Sequence, residues 1–298
     1  MKKIKISVII PTCNRIDYLK KCINSILKQD YGEYEIIIVD DSDNDETQKY
    51  VDTLKNNSII YIHNKDRQDA GKNRNIAYGK ATGDIVVFID DDDYYTDCCY
   101  FGRIADIFRN ESVDIVLSNS NILYEEDNRT IEYKLGLPDR MDAKVYLLGF
   151  MKKYKKPTST LGFAARKRVL DESNFINMHM MNDTSIYMRS CINAGLIKYD
   201  NSVIGVYRVH KSNYSKSVKA DFIIKNLEEK KRIYDEVKKS GEFNQKWLDT
   251  QLLITAVYFA HGGEANKKEI EKVESFMKKN ASRKAYILFK LRLLKCRI

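Results

Sequence analysis

Asp84-Ile85-Val86-Val87-Phe88-Ile89-Asp90-Asp91-Asp92-Asp93 decides how the chain is read. Five apolar residues run straight into four carboxylates. The apolar part is too short for a buried helix and rich in β-branched side chains, which makes it a strand buried on both faces. The acidic part then stands at the strand's carboxyl end, the side that faces the ligand crevice of an open α/β sheet. Four adjacent like charges repel one another. A hard divalent cation would relieve that repulsion through carboxylate oxygens; a solvated acidic turn capping the next helix is the alternative. The run alone leaves both open.

Towards the N-terminus, Lys3 to Ile10 alternates and then becomes fully apolar, as a first strand does. Pro11 is expected to end it, with Thr12-Cys13-Asn14-Arg15 as the loop. Asp17 is placed to cap a helix carrying Leu19, Cys22, Ile23, Ile26 and Leu27 at helical spacing. Glu35 to Val39 is a second buried strand, ended by Asp40-Asp41-Ser42-Asp43. A short helix over Asp45 to Leu54 and a third strand over Ser58 to Ile62 follow. Asp69-Ala70-Gly71-Lys72-Asn73-Arg74-Asn75 opens a helix to about Ala81, broken by Gly83.

Beyond the acidic run, a helix is expected from Asp97 to Arg109 and a fifth strand from Val113 to Ser118. Strands alternating with helices of this length predict a parallel sheet covered on both faces. After Ser120 the pattern changes. Irregular β structure, with a hairpin as one form of it, is expected from Ile122 to Leu135, a helix over Met141 to Met151 and a strand over Ser159 to Ala165. A helix over Asn182 to Ala194 closes at Gly195, and Ile197 to Arg208 returns to β. From Lys219 the chain reads as helical, with Ile223, Leu227, Tyr234 and Val237 on one face and Leu248, Leu252, Thr255 and Phe259 on another.

The 298 residues suffice for one large or two ordinary domains. Met1-Lys2-Lys3 leads into a short apolar run broken by Lys5 and Ser7, which is not a signal-peptide pattern. No stretch approaches the ~18 uncharged apolar residues of a membrane span. Cys13, Cys22, Cys98, Cys99, Cys191 and Cys296 show no zinc or redox spacing, so reduced thiols and a cytoplasmic location are expected. The net charge of +9 is uneven: from Asn266 onward eleven Lys/Arg face three Glu. The rest of the chain is close to neutral, which argues against a nucleic-acid-binding body.

Three clusters fall after predicted strands: Asp40-Asp41 after the second, Lys72 and Arg74 after the third, Asp90 to Asp93 after the fourth. A parallel sheet brings these loops to one rim. Carboxylates there can receive a base edge, a ribose or a metal, and cations and helix N-terminal amides can receive phosphate. Together they suit a nucleotide diphosphate chelated by a divalent ion. Singly, Asp40-Asp41-Ser42 could merely cap a helix, and Lys72 and Arg74 could be solvated surface cations; all three clusters together are less readily accidental. A Walker A loop is missing, and no G-x-G-x-x-G follows the first strand, which excludes a P-loop NTPase and disfavours a dinucleotide-binding domain.

The chain resembles a family 2 glycosyltransferase of the GT-A fold. The matching segments are 7–15 (Ser-Val-Ile-Ile-Pro-Thr-Cys-Asn-Arg), 35–42 (Glu-Ile-Ile-Ile-Val-Asp-Asp-Ser), 71–75 (Gly-Lys-Asn-Arg-Asn) and 83–93, then Asn182-Asp183-Thr184 with Arg189, and Tyr207-Arg208-Val209-His210. They cover roughly residues 4 to 215, in the family's order. The resemblance implies an α/β fold: a Rossmann-like, mostly parallel central sheet with helices on both faces, plus a C-terminal helical extension. A catalytic domain would span 1–215, with nucleotide-sugar binding in about 1–120 and the acceptor side in about 121–215; the extension would span 216–298.

It further implies an inverting enzyme that moves a sugar from a nucleotide-diphosphate donor, UDP by default, to a saccharide or lipid-linked acceptor, as in surface polysaccharide synthesis, with Mg2+ or Mn2+. Pro11, Thr12, Asn14 and Arg15 would line the nucleotide pocket. Asp41 would accept from the base and Asp40 support its loop. Lys72 and Arg74 would lie near the diphosphate. Asp90 to Asp92 form the D-x-D signature: Asp92 as metal ligand, Asp90 or Asp91 on the ribose or a metal-bound water. Asp183 corresponds to the general base, and His210 to a side chain brought toward the metal or phosphates. An inverting transfer needs a carboxylate to take the acceptor proton and neutralisation of the departing diphosphate. Asp183 could also be a plain helix cap, and His210 an ordinary imidazole.

Asn182 stands where the family usually has Glu, Ser42-Asp43-Asn44-Asp45 lacks the common Gly, and Asp93 extends the acidic run, which leaves the metal-binding Asp uncertain by one position. A non-catalytic nucleotide-sugar-binding protein of the same fold is the alternative. A sugar nucleotidyltransferase is disfavoured, because Pro11 to Arg15 is not a Gly-rich loop.

The tail Arg283 to Ile298 is apolar and basic together. As a helix it would align Ile287, Leu291, Leu294 and Ile298, with Lys290 and Arg297 toward the other side. That composition suits an in-plane helix on an anionic membrane surface, here the inner face. Docking on the catalytic domain or forming a homodimer is the alternative.

Overall fold

A computed structural model of the chain describes residues 3–178, 180–211, 213, 219–261 and 266–296. It contains two compact units, Met1–Leu147 with Tyr154–Val209, and Leu148–Lys153 with His210–Ile298. The expected boundary near residue 215, together with Arg297 and Ile298, lies outside the described residues.

The first unit is built on a ten-stranded sheet. Its strands β1 (Ile6–Thr12), β2 (Tyr34–Asp40), β3 (Ile59–His63) and β4 (Ile85–Phe88) run parallel in the order β3-β2-β1-β4. Between them in the chain come α1 (Ile16–Leu27), α2 (Glu46–Leu54) and α3 (Ala70–Tyr78). Every residue of β1 and β4 is buried, as a strand covered on both faces requires. Ile6, Val8 and Ile10 of β1 share a core with Leu19, Cys22, Ile23 and Ile26 of α1 and with Tyr100, Phe101, Ile104 and Phe108 of α4 (Tyr100–Asn110).

Two expectations at β1 are corrected. Pro11 does not end the strand: Pro11 pairs with Val39 and Thr12 with Asp40. The Ile9 carbonyl accepts from Ile89, so alternate residues of β1 point their amides at β4, and pairing with β4 stops at Ile9. The donor that Pro11 lacks therefore has no β4 partner to lose. Nor does Asp17 cap α1. Ile16, packed against the core, starts the helix, Arg15 occupies the cap position, and Asp17 sits in the first turn.

The parallel pattern ends at β4. Strand β9 (Phe163–Arg166) lies antiparallel between β4 and β6 (Ile115–Tyr124), with Val86 opposite Ala165 and Val116 opposite Ala164. An apolar strand has the same composition whichever way its neighbours run, so the sequence does not reveal this insertion. The stretch read as irregular β is a hairpin of β6 with β7 (Arg129–Tyr133). The long β10 (Leu196–Val209) pairs parallel with β6 and antiparallel with β5 (Tyr94–Tyr95) and β8 (Arg140–Asp142). Helices α5 (Ala143–Gly149), α6 (Lys167–Glu172) and α7 (Asp183–Ser190) complete the unit.

The second unit contains α8 (Ala220–Val237), α9 (Gln245–His261), α10 (Lys267–Asn280) and α11 (Arg283–Cys296). Ile223 and Leu227 of α8 and Leu248, Leu252, Thr255 and Phe259 of α9 are buried, and Tyr234 stacks on Trp247 at 6.3 Å. Helix α11 docks on the other helices of its own unit through a face other than the Ile287, Leu291 and Leu294 stripe. Ala285, Phe289 and Leu293 are buried, whereas Ile287, Leu288, Leu291 and Leu294 are exposed. No helix among the described residues is long and apolar enough to cross a membrane.

Candidate active site

Because β1, β2 and β4 are parallel neighbours, Thr12, Asp40 and the acidic run leave the sheet at the same edge. The β1 and β2 loops are stitched together. Asn14 adopts a left-handed conformation, φ 53°, donates its N–H to Ser42 Oγ at 2.7 Å and accepts from the Asp43 amide at 3.2 Å. Asp40 is fully buried; its carboxylate accepts from Ser42 N at 2.8 Å and from the Tyr61 hydroxyl at 2.9 Å. Burial and the Asp40 hydrogen bond together push the Tyr61 hydroxyl well above its usual range. Asp41 accepts from Asn64 Nδ2 at 2.7 Å and from Gln68 N at 3.0 Å. The exposed Lys72 ammonium donates to Gln68 Oε1 at 3.2 Å, so Asp41, Gln68 and Lys72 form one chain of contacts.

The acidic run folds into a turn, with Asp93 N donating to Asp90 O at 3.0 Å. Asp91 is buried, accepts from Thr12 Oγ1 at 2.7 Å and meets the Arg15 guanidinium at 2.5 Å. Arg15 also reaches Asp92 Oδ2 at 2.6 Å. Asp93 accepts from Ser159 Oγ at 2.6 Å and from Arg208 N at 3.1 Å. Asp90 pairs with Arg74, whose other nitrogen donates to Met181 O at 2.9 Å. Burial is the main cause that raises Asp90 and Asp93 and pushes Asp91 up to about 7; Arg74 opposes it at Asp90 and Arg15 at Asp91, while neighbouring carboxylates add to the rise.

Asp90, Asp92 and Asp93 bring ligand oxygens within 4.8 Å of one another. An all-carboxylate donor set, buried at Asp92 and Asp93 and partly exposed at Asp90, fits a hard ion such as Mg2+ or Mn2+. Asp91 stands outside this triad, held by Thr12 and Arg15.

Asp183 is the first residue of α7. The cap is Asn182, whose side chain accepts from Ser185 N at 3.0 Å. Asp183 Oδ2 lies 3.8 Å from Lys156 Nζ, and that ammonium is oriented by the carbonyls of Pro157 at 3.0 Å and Thr158 at 3.2 Å. Burial is the largest influence on both Asp90 and Arg74; the Asp183 charge adds to the rise of each. Arg74 therefore stands between the acidic run and the residues leading into α7. His210 belongs to the second unit, where it is buried and its N–H donates to Asn213 Oδ1.

Lys156, Ser159 and Tyr61 are site residues that the sequence reading does not single out. Lys156 sits in a lysine-rich stretch, 152–156, that no periodicity resolves; Ser159 and Tyr61 act through contacts distant in sequence.

The family described as glycosyl transferase family 2 matches residues 7–175, more than half of the chain. The chain belongs to glycosyl transferase family 2. The matched region holds the β1, β2 and acidic-run residues; Asp183 and His210 lie beyond it. Among family relatives, the poly(ribitol-phosphate) beta-N-acetylglucosaminyltransferase TarS of Staphylococcus aureus is 37% identical over 94 residues, 30% of this chain and 16% of TarS. A crystal structure of TarS 1-349 in complex with UDP-GlcNAc matches with TM-score 0.73 at 19% identity, covering 98% of this chain and 87% of that one. The GalNAc(5)-diNAcBac-PP-undecaprenol beta-1,3-glucosyltransferase of Campylobacter jejuni is 41% identical over 92 residues, 30% of each protein. The mannosyltransferase PcManGT of Pyrobaculum calidifontis, in complex with GDP-Man and Mn2+, matches with TM-score 0.53 at 15% identity, covering 100% and 82%. These structural matches establish the GT-A fold expected of a family 2 glycosyltransferase. The chain spans less than a third of the length of the two curated relatives named.

Proposed function

We propose that this family 2 glycosyltransferase moves a sugar from a UDP-sugar to a saccharide or lipid-linked acceptor, with inversion and with Mg2+ or Mn2+. One observation carries the proposal: Asp41 and the Asp90-Asp92-Asp93 triad leave parallel strands of one sheet at one edge, and Arg74 joins Asp90 to the Met181 carbonyl, two residues before Asp183. Relatives that use polymer or undecaprenol-linked acceptors, and a TarS complex with UDP-GlcNAc, support the choice of substrates.

On this reading, Asp41 receives the base, with Pro11, Thr12 and Asn14 shaping the pocket and Asp40 holding its wall. Lys72 meets the diphosphate. Arg15 and Arg74 hold the acidic run in place. Asp90, Asp92 and Asp93 would hold the metal ion. Bound there, Mg2+ or Mn2+ supplies Lewis-acid neutralisation of the departing diphosphate. Asp183 accepts the proton of the acceptor hydroxyl as that oxygen attacks the anomeric carbon. Lys156 keeps the Asp183 carboxylate beside a fixed positive charge. The cytoplasmic location expected from the thiols is part of the same proposal; Cys13, Cys22, Cys98, Cys99 and Cys191 are free.

Incubation with a panel of UDP-sugars and Mn2+, with and without acceptor, tests the proposal. Metal-dependent UDP release that Asp183→Asn suppresses while UDP binding persists is the expected result. Tight UDP-sugar binding with no turnover across donors and acceptors would favour a non-catalytic sugar-nucleotide binder.

A further inference from the structure

Helix α11 carries two apolar stripes, and the fold uses only one. Ala285, Phe289 and Leu293 pack inward at four-residue spacing. The helix is further pinned to its unit by Asp249, which accepts from Ser282 N at 2.9 Å, and by Glu274, which accepts from Tyr286 at 2.8 Å and Lys290 at 2.7 Å. On the opposite side Ile287, Leu291 and Leu294 recur at helical spacing with exposures of 47%, 51% and 60%, beside Leu288 at 42%. A docked helix has no folding reason to keep four large apolar side chains in water.

The charges around this stripe narrow its occupant. Arg283 precedes Ile287 by one turn, Lys284 precedes Leu288, and Arg292 follows Leu288; all three are exposed. The segment Arg283–Cys296 contains no acidic residue. A second copy packed stripe against stripe would bring two such sets of cations together, with no anion from either helix to meet them. An acidic lipid surface does the reverse. It accepts the apolar side chains at the headgroup boundary and pairs the flanking cations with its own charge.

We propose that the exposed face of α11 lies in the plane of an anionic lipid bilayer, attaching the protein peripherally through Ile287, Leu288, Leu291 and Leu294, with Arg283, Lys284 and Arg292 on lipid headgroups. The attachment needs neither donor nor acceptor, so it stands or falls apart from the proposed sugar transfer. It would hold the enzyme where lipid-linked acceptors are found.

The test uses the full chain and vesicles of phosphatidylcholine alone or with phosphatidylglycerol. Co-sedimentation with the phosphatidylglycerol vesicles is expected, weakened by added salt and at least tenfold lower with neutral vesicles. Leu291→Glu, a change at an exposed position, is expected to lower partitioning at least tenfold with the melting temperature unchanged. The triple variant Arg283→Gln, Lys284→Gln and Arg292→Gln is expected to lose the preference for anionic vesicles. Equal sedimentation of wild type and Leu291→Glu would overturn the proposal. So would failure of the wild type to sediment while light scattering shows a dimer that Leu291→Glu dissociates, which would assign the stripe to a second copy.

Discussion

Asn182 caps α7 by accepting the Ser185 amide at 3.0 Å, and the neighbouring Asp183 carboxylate faces Lys156 at 3.8 Å instead. The family commonly has Glu at the position of Asn182. Here that departure supplies a better capping residue, since Asn leads the N-cap ranking. The cap and the proposed base are thus separate side chains and separable by mutation.

Asp183→Asn should lower transfer by ~10²–10⁴-fold while leaving UDP affinity and thermal stability nearly unchanged. Asn182→Ala should do the opposite: about 1 kcal/mol of stability lost, with most activity kept. Initial rates, calorimetric UDP binding and thermal melts of the two variants decide it. A stability loss in Asp183→Asn equal to that of Asn182→Ala would return Asp183 to a capping role.

The carboxylate triad predicts metal dependence. Chelation by EDTA should abolish transfer and added Mn2+ restore it. Asp92→Asn should raise the half-saturating Mn2+ concentration by at least ~10-fold, the scale on which metal sites respond to loss of a supporting group. A Mn2+ titration of activity, checked by the electron paramagnetic resonance of free Mn2+, reads this directly; an unchanged titration would remove Asp92 from the site.

Asp40 and Asp41 are adjacent in sequence and distinct in role. Asp40 accepts from Ser42 and Tyr61 with no exposed surface, so Asp40→Ala should cost ~2–4 kcal/mol in denaturant unfolding. Asp41→Ala should weaken UDP binding by ~10–100-fold, the value of one hydrogen bond to a charged acceptor. Equal effects of the two substitutions on UDP affinity would contradict the assignment.

Glu35 sets part of the acid stability. Burial raises its carboxyl, but hydrogen bonds from Lys5 at 2.6 Å, Ser7 at 2.6 Å and the Thr82 amide at 2.7 Å outweigh that and lower it from the ordinary 4.5. A carboxyl lower in the folded than in the unfolded chain stabilises above the unfolded value and loses that stabilisation as pH falls through the folded one. Glu35→Gln should therefore be less stable than wild type at neutral pH, with the gap closing between about pH 5 and pH 3. Urea midpoints across that range measure it.

The close approach beside Glu35 was also visible as a residue type. A Cβ at Gly83 would lie 2.7 Å from Ser7 N, so only glycine lets the chain pass into β4 there. Similarly, the burial of α1 at Leu19, Cys22, Ile23 and Ile26 follows its apolar spacing. The Asp17 cap failed because Ile16, packed against the core, starts the helix two residues earlier. The α11 stripe was read by composition alone, and composition could not say which of two apolar faces would find a partner.

Local residue pattern determined most strands and helices and the carboxyl-edge position of Asp40, Asp41 and Asp90 to Asp93, because burial on both faces of a short strand and the chemistry of its terminus are properties of neighbours in the chain. Tertiary structure alone decided that β9 runs antiparallel between β4 and β6, that Arg74 holds Asp90 while Arg15 holds Asp91 and Asp92, and that Lys156 meets Asp183. Those relationships join residues far apart in sequence, where the energy of pairing depends on distance and burial, which no one-dimensional pattern encodes.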